Sequence, residues 1–126
     1  MVIDESPHRR KRPRLVPIIS PRALPPPEGT WDNEQWTRLQ GGMYPRSMDY
    51  RWCSYLIDHR LFLHRSWTGQ GIFEAEFAFT TNGWHVVAAL VESGHVNSYV
   101  DRPDPALSDL LHLVINIAAN WDTANE

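Results

Sequence analysis

One cysteine, Cys53, and one lysine, Lys11, occur among the 126 residues. A lone cysteine excludes an intramolecular disulfide framework and any multi-cysteine zinc site. No apolar run approaches the roughly 20 residues that a membrane-spanning helix needs. Leu15 to Ile19 is too short for a signal-peptide apolar region and is broken by Pro17. Aromatic residues are missing entirely before Trp31. The chain lacks a Gly-Lys-Ser/Thr phosphate loop, a dinucleotide fingerprint and a Gly-x-Ser-x-Gly elbow. Its six histidines show neither a His-x-x-x-His nor a His-Glu-x-x-His pair, so no metal site and no cofactor are expected.

What is present divides into two compositions. Residues 1–27 hold six basic and two acidic residues, a net charge of +4, and seven of the ten prolines. With little to bury, such a segment cannot repay its ordering entropy, so residues 1–29 read as a disordered basic tail. The run Arg9-Arg10-Lys11-Arg12 would suit an acidic surface or phosphates. From Glu28 onward six basic residues face thirteen acidic ones, a net charge of −7 that argues against nucleic acid as the partner of the domain. Eleven arginines to one lysine is also the composition of a GC-rich bacterial gene. The expectation is a cytoplasmic protein with one folded domain over residues 30–122 and a short tail at 123–126.

Periodicity gives the elements. Thr30 or Asp32 can cap a short helix carrying Trp36 and Leu39, with a capping-box spacing from Asp32 to Gln35 and Gly41-Gly42 at its end. Tyr50 to Ile57 and Leu61 to Trp67 read as strands around an Asp58-His59-Arg60 turn. Ile72 to Phe79 alternates Phe73, Ala75, Phe77 and Phe79 with Glu74 and Glu76. Asn82-Gly83 predicts a type I′ hairpin turn into Trp84 to Val91. His95 to Val100 reads as a fifth short extended piece. Asp104 would cap a final helix with Pro105 at its first position and an apolar repeat from Leu107 to Trp121. The predicted fold is therefore α+β, a four- or five-stranded antiparallel meander with an N-terminal and a C-terminal helix. The fourth strand is apolar on both sides, so the face away from the helices should be partly covered, most simply by a homodimer.

Functional residues concentrate in His64-Arg65-Ser66-Trp67-Thr68-Gly69, where a strand runs into a glycine turn. If Thr68 to Gly71 is a four-residue turn, Ser66 faces Phe73, Arg65 faces Glu74 and His64 faces Ala75. His64 then shares the phenylalanine face and Arg65 the glutamate face, and a one-residue change would exchange them. His64 is either a hydrogen-bonded core histidine or a general base. Arg65 either pairs with Glu74 or offers its fork to a carboxylate or phosphate. Trp52 and Trp67 could wall a site in which Arg65 stacks by cation–π contact, or simply belong to the core. Cys53, across a hairpin from His64 in one register, reads as a small buried hydrophobe rather than a nucleophile.

Trp52 following Met48 and Arg51, then Leu61, the six-residue run and Ile72-Phe73, resembles a family of small uncharacterised bacterial proteins. Related segments in that family sometimes accompany ADP-ribosylglycohydrolase domains. The resemblance spans roughly residues 36–79 and rests mainly on the six-residue run. It implies an accessory role or an anionic, nucleotide-like ligand, and carries over no catalytic residue. The sequence thus favours a non-enzymatic binding or accessory domain of the immunity or regulatory kind. Arg65, Trp67, Trp52, His64, Ser66 and Glu74 would meet a partner protein or an anionic small molecule. The alternative is a small hydrolase or transferase with His64 as base and Arg65 as anion clamp.

Overall fold

The computed structural model describes residues 14–45 and 50–122. Its elements run β1 (Pro21–Leu24), α1 (Asn33–Gly41), β2 (Trp52–Ile57), β3 (Arg60–Arg65), β4 (Gly71–Thr80), β5 (Gly83–Glu92) and α2 (Asp104–Ala119). The five strands form one antiparallel sheet in the order β1-β5-β4-β3-β2. The chain starts at one edge, crosses through α1 to the other, and returns strand by strand. The expected α+β class with an antiparallel sheet is what forms.

α1 is set by its N-cap. The Asp32 carboxylate accepts from the Gln35 N–H at 2.8 Å while the Gln35 side chain accepts from the Asp32 N–H at 3.0 Å. Gly42, at φ 78°, ends the helix. α2 begins one residue earlier than its sequence suggests. Pro103 holds the N-cap position, and the Asp104 carboxylate instead accepts from Arg22 of β1 at 2.8 Å.

Both helices cover one face of the sheet. Trp36 of α1 and Trp31 lie edge-on to Phe77 at 5.3 and 5.6 Å. Leu107, Leu111 and Ile115 of α2 join Leu61, Leu63, Phe73, Ala75 and Val91 in one buried cluster. Each fully buried aliphatic side chain of this kind contributes about 1.5–3 kcal/mol. On the far face Arg60 bridges Glu74 at 3.1 Å and Glu76 at 2.8 Å, and Tyr55 stacks on Phe62 at 4.9 Å.

Four expectations are corrected. The fifth strand is Pro21–Leu24, from the segment expected to be tail, whereas His95 to Val100 folds as successive turns. The tail reading therefore fails for residues 14–29, while residues 1–13 and 123–126 lie outside the described residues. Proline tolerates the start of an edge strand because no ladder donor is needed there, and Leu24 is buried against Ala89. At the β4–β5 hairpin, Thr80 pairs with Gly83 and only Gly83 takes positive φ, at 118°, so the turn is Thr81-Asn82 and not type I′.

The third and fourth corrections concern register. Leu63 pairs with Phe73 and Phe62 with Glu74; a bulge between Leu63 and His64 then sets His64 opposite Gly71. β3 ends at Arg65, and residues 65–70 connect it to β4. Arg65 therefore does not face Glu74, and the two faces are exchanged relative to the four-residue-turn reading. Arg65 sits opposite Trp52 on the helix side, while His64 sits opposite Cys53 on the far side.

Residues 14–20 run as a strap across the end of the sheet where β2 and β4 begin. Val16 donates to the Gly69 carbonyl at 2.8 Å and accepts from the Gly71 N–H at 2.7 Å. The approach requires glycine. A Cβ at Gly71 would lie 2.9 Å from the Val16 carbonyl oxygen, and one at Gly69, which takes φ 78°, would collide with the Arg14 carbonyl. Further along, Glu92, only 1% exposed, accepts from Ile19 at 2.7 Å, Ser20 at 3.1 Å and Gly94 at 3.0 Å. Burial would raise the carboxyl's pKa, but the surrounding backbone N–H groups of Gly94, Ile19, Ser20 and Ser93 outweigh it and the net shift is downward.

A group with a lowered folded pKa contributes its stability fully above the unfolded value, near 4.5, and loses it as pH falls through the folded value. Glu92→Gln should therefore cost about 1–3 kcal/mol at pH 7. Urea titrations from pH 7 to pH 3 should show the gap to wild type narrowing on acidification. A gap that stays constant would contradict the assignment.

Candidate functional site

The β2–β3 register places Arg65 beside Trp52, and the β5–α2 connection brings Tyr99 and Arg102 to the same end. Trp52 and Tyr99 are near-parallel, 18° apart in plane with centroids separated by 6.2 Å. The Arg65 guanidinium carbon lies 5.1 Å from the Trp52 centroid and 5.5 Å from that of Tyr99. One Nη1–H donates to the Tyr99 hydroxyl at 2.8 Å. Arg102 packs over Tyr99 at 4.7 Å, and next door Arg51 lies over Trp67 at 5.7 Å. Three guanidiniums are thus laid on aromatic rings around one end of the sheet.

The ion pairs set these three apart. Arg22, Arg38 and Arg60 each meet a carboxylate. Among the described residues, no carboxylate pairs with Arg51, Arg65 or Arg102. A guanidinium stacked on a ring keeps its in-plane N–H groups available to an anion. Arg65 and Arg102 both bear on the Tyr99 ring.

The remaining sequence-derived candidates separate from this cluster. His64 is 2% exposed on the opposite face. Its Nδ1 lies 2.9 Å from the Gly69 carbonyl oxygen, which can only accept, so Nδ1 carries the proton. Burial pushes the imidazole pKa below 6.5, against the opposing effect of the Gly69 carbonyl. His64 is thus a neutral, hydrogen-bonded residue that braces the turn. A ligand resting on Arg65 cannot also reach its ring from the other side of the sheet, so a joint His64 base and Arg65 clamp is not formed. Ser66 is spent on the residues that lead into β2: its hydroxyl donates to the Tyr50 carbonyl at 2.6 Å and its N–H to that of Arg51 at 2.8 Å. Glu74 is held by Arg60. Trp52 is buried at 7% exposure, whereas Trp67 is 42% exposed.

Tyr99, Arg102 and Glu92 were not singled out from sequence. The one available signal was position: Tyr99 and Arg102 occupy a connection just before a helix. No group of His, Cys, Asp and Glu suited to a metal ion occurs among the described residues. No family model, curated protein or solved structure matches this chain.

The His64 ring offers a direct check. Its folded pKa is lowered, so its contribution to stability is complete above about pH 6.5 and lost as pH falls through the folded value. Nitrogen-detected NMR at pH 7 should show a neutral ring protonated at Nδ1 and titrating below 6.5. An imidazolium at pH 7 would overturn the bracing role.

Proposed function

We propose that this chain is a binding module for an anionic, nucleotide-like ligand. Its working surface is the row of Arg51, Arg65 and Arg102 with the rings of Trp67 and Tyr99, backed by the buried Trp52. The observation that carries the reading is the Arg65 guanidinium, stacked against two rings yet paired with no described carboxylate. Arginine forks match phosphate oxygens bidentately, and half-exposed aromatic faces accept a flat base. A hydrolase or transferase reading has less support, because the imidazole that would act as base is buried, hydrogen-bonded to the Gly69 carbonyl and on the far face from Arg65.

A partner protein is the second reading. The exposed Trp67 indole beneath Arg51 supports it, because tryptophan and arginine dominate the energetics of protein interfaces.

Titrating ADP into isotopically labelled protein should shift the resonances of Arg65, Tyr99, Arg102 and the Trp52 indole together. Arg65→Ala should weaken binding about tenfold or more, equivalent to at least about 1.4 kcal/mol. Arg65→Lys, which keeps the charge and loses the fork, should recover only part of it. Unchanged affinity in a folded Arg65→Ala variant, or shifts centred on His64 and Glu74, would refute the reading.

A further inference from the structure

The two loops that build the arginine end touch each other through the hydrogen bond from Arg65 to Tyr99. Residues 65–70 carry Arg65 and Trp67; residues 93–103 carry Tyr99 and Arg102. Both touch the strap. At its first contact, Val16 bonds to Gly69 and Gly71, and the Gly69 N–H donates to the Arg65 carbonyl at 2.8 Å. At its second, Ile19 and Ser20 donate to the Glu92 carboxylate, which also accepts from Gly94 at the start of the other loop. The Glu92 carbonyl accepts from the Asn97 side chain at 2.9 Å, and Asn97 in turn accepts from the Tyr99 N–H at 2.9 Å. Tyr99 then meets Arg65. The contacts form a closed circuit: Arg65, Gly69, Val16, Ile19, Glu92, Asn97, Tyr99 and back to Arg65.

We infer that residues 14–20 are a clasp that fixes the spacing of Arg65 and Tyr99, and that Glu92 is its positioning residue. Three features of the structure converge on this. Glu92 and Asn97 are buried polar side chains, 1% and 0% exposed, whose bonds all run between the strap, β5 and the Tyr99 loop. Such groups are costly to bury unless fully bonded, so the carboxylate is committed to the strap. The opposite end is shaped for the strap too, since Gly69 and Gly71 leave no room for a side chain beside Arg14 and Val16. Finally, the strap is short and lies at the sheet end, so it can leave without unpairing β2, β3 and β4. As one segment bonded to both loops, it ties the position of each to that of the other.

This inference rests on the proposed ligand end for its role in binding, but its core can be tested without ligand. Hydrogen exchange on the full chain compares wild type, Glu92→Gln, Glu92→Ala and Gly69→Ala. Cutting the clasp at Glu92 should raise exchange about tenfold or more at Ile19 and Tyr99, and also at the Gly71 amide on the far contact. Gly69→Ala, which attacks the other end, should do the same to Ile19. Amides at the opposite end of the sheet, Phe79 and Trp84, should lose clearly less protection than Ile19, Tyr99 and Gly71, whereas a purely global loss of stability would lower all of them alike. Protection at Gly71 that survives Glu92→Ala and Glu92→Gln alike would overturn the clasp, as would uniform loss across the sheet. ADP affinity is the second readout, expected to fall at least threefold in Glu92→Gln. If wild type binds no ADP while the exchange pattern holds, the ligand reading fails and the clasp stands. ADP bound equally by wild type and Glu92→Gln would overturn the positioning role.

Discussion

The pairing of Trp52 with Arg65 across β2 and β3 is the constraint on which the arginine end depends. It follows from a tight reversal. Ile57 pairs with Arg60, so Asp58 and His59 alone make the turn, with Asp58 at φ 53°. Strand side chains alternate strictly, so this register sends Arg65, Leu63 and Leu61 to the helix side and His64 and Phe62 to the other. A slip of one residue would turn Arg65 to the far face and leave His64 facing Trp52. The burial of Leu61 and Leu63, both fully inaccessible, holds the register and thereby the placement of Arg65.

Seen from this constraint, the two ends of the sheet differ in chemistry. At the end where β2 begins, arginines stack on rings and pair with no described carboxylate. At the opposite end Trp36 and Trp84 stack at 3.8 Å, with Phe79 and His59 against Trp84, and Trp84 donates to Asn33. That cluster closes the core and anchors α1. The negative balance of the domain lies elsewhere, much of it on helices, turns and the far-face Arg60 bridge. A domain with a negative balance can therefore still gather three ring-stacked arginines at one end.

Local signals carried much of the fold. The Asp32–Gln35 box, the Phe73–Phe79 alternation and the α2 repeat each correspond to the element expected from them. Register did not follow, because the bulge at Leu63/His64 has no glycine or proline to mark it, and the β3–β4 connection is longer than its glycines suggest. β1 was hidden by composition: in a segment dominated by proline and arginine, only Ile18, Ile19 and Leu24 hint at burial. Gly69 and Gly71 were legible as turn residues, but their second use, admitting the strap, depends on a segment more than 50 positions away. Of the site, Arg65 and Trp52 were legible as a stacked pair. Tyr99, Arg102 and Glu92 were not, since nothing local distinguishes them from ordinary loop and strand-end residues.

The central claim is the side of the sheet on which Arg65 lies, and proton–proton NOEs test it most directly. The account predicts cross-peaks from the Arg65 side chain to the Trp52 indole and the Tyr99 ring, with its δ-protons shifted upfield by both rings. Cross-peaks from Arg65 to Phe62 and Glu74 instead would place the guanidinium on the far face and contradict it.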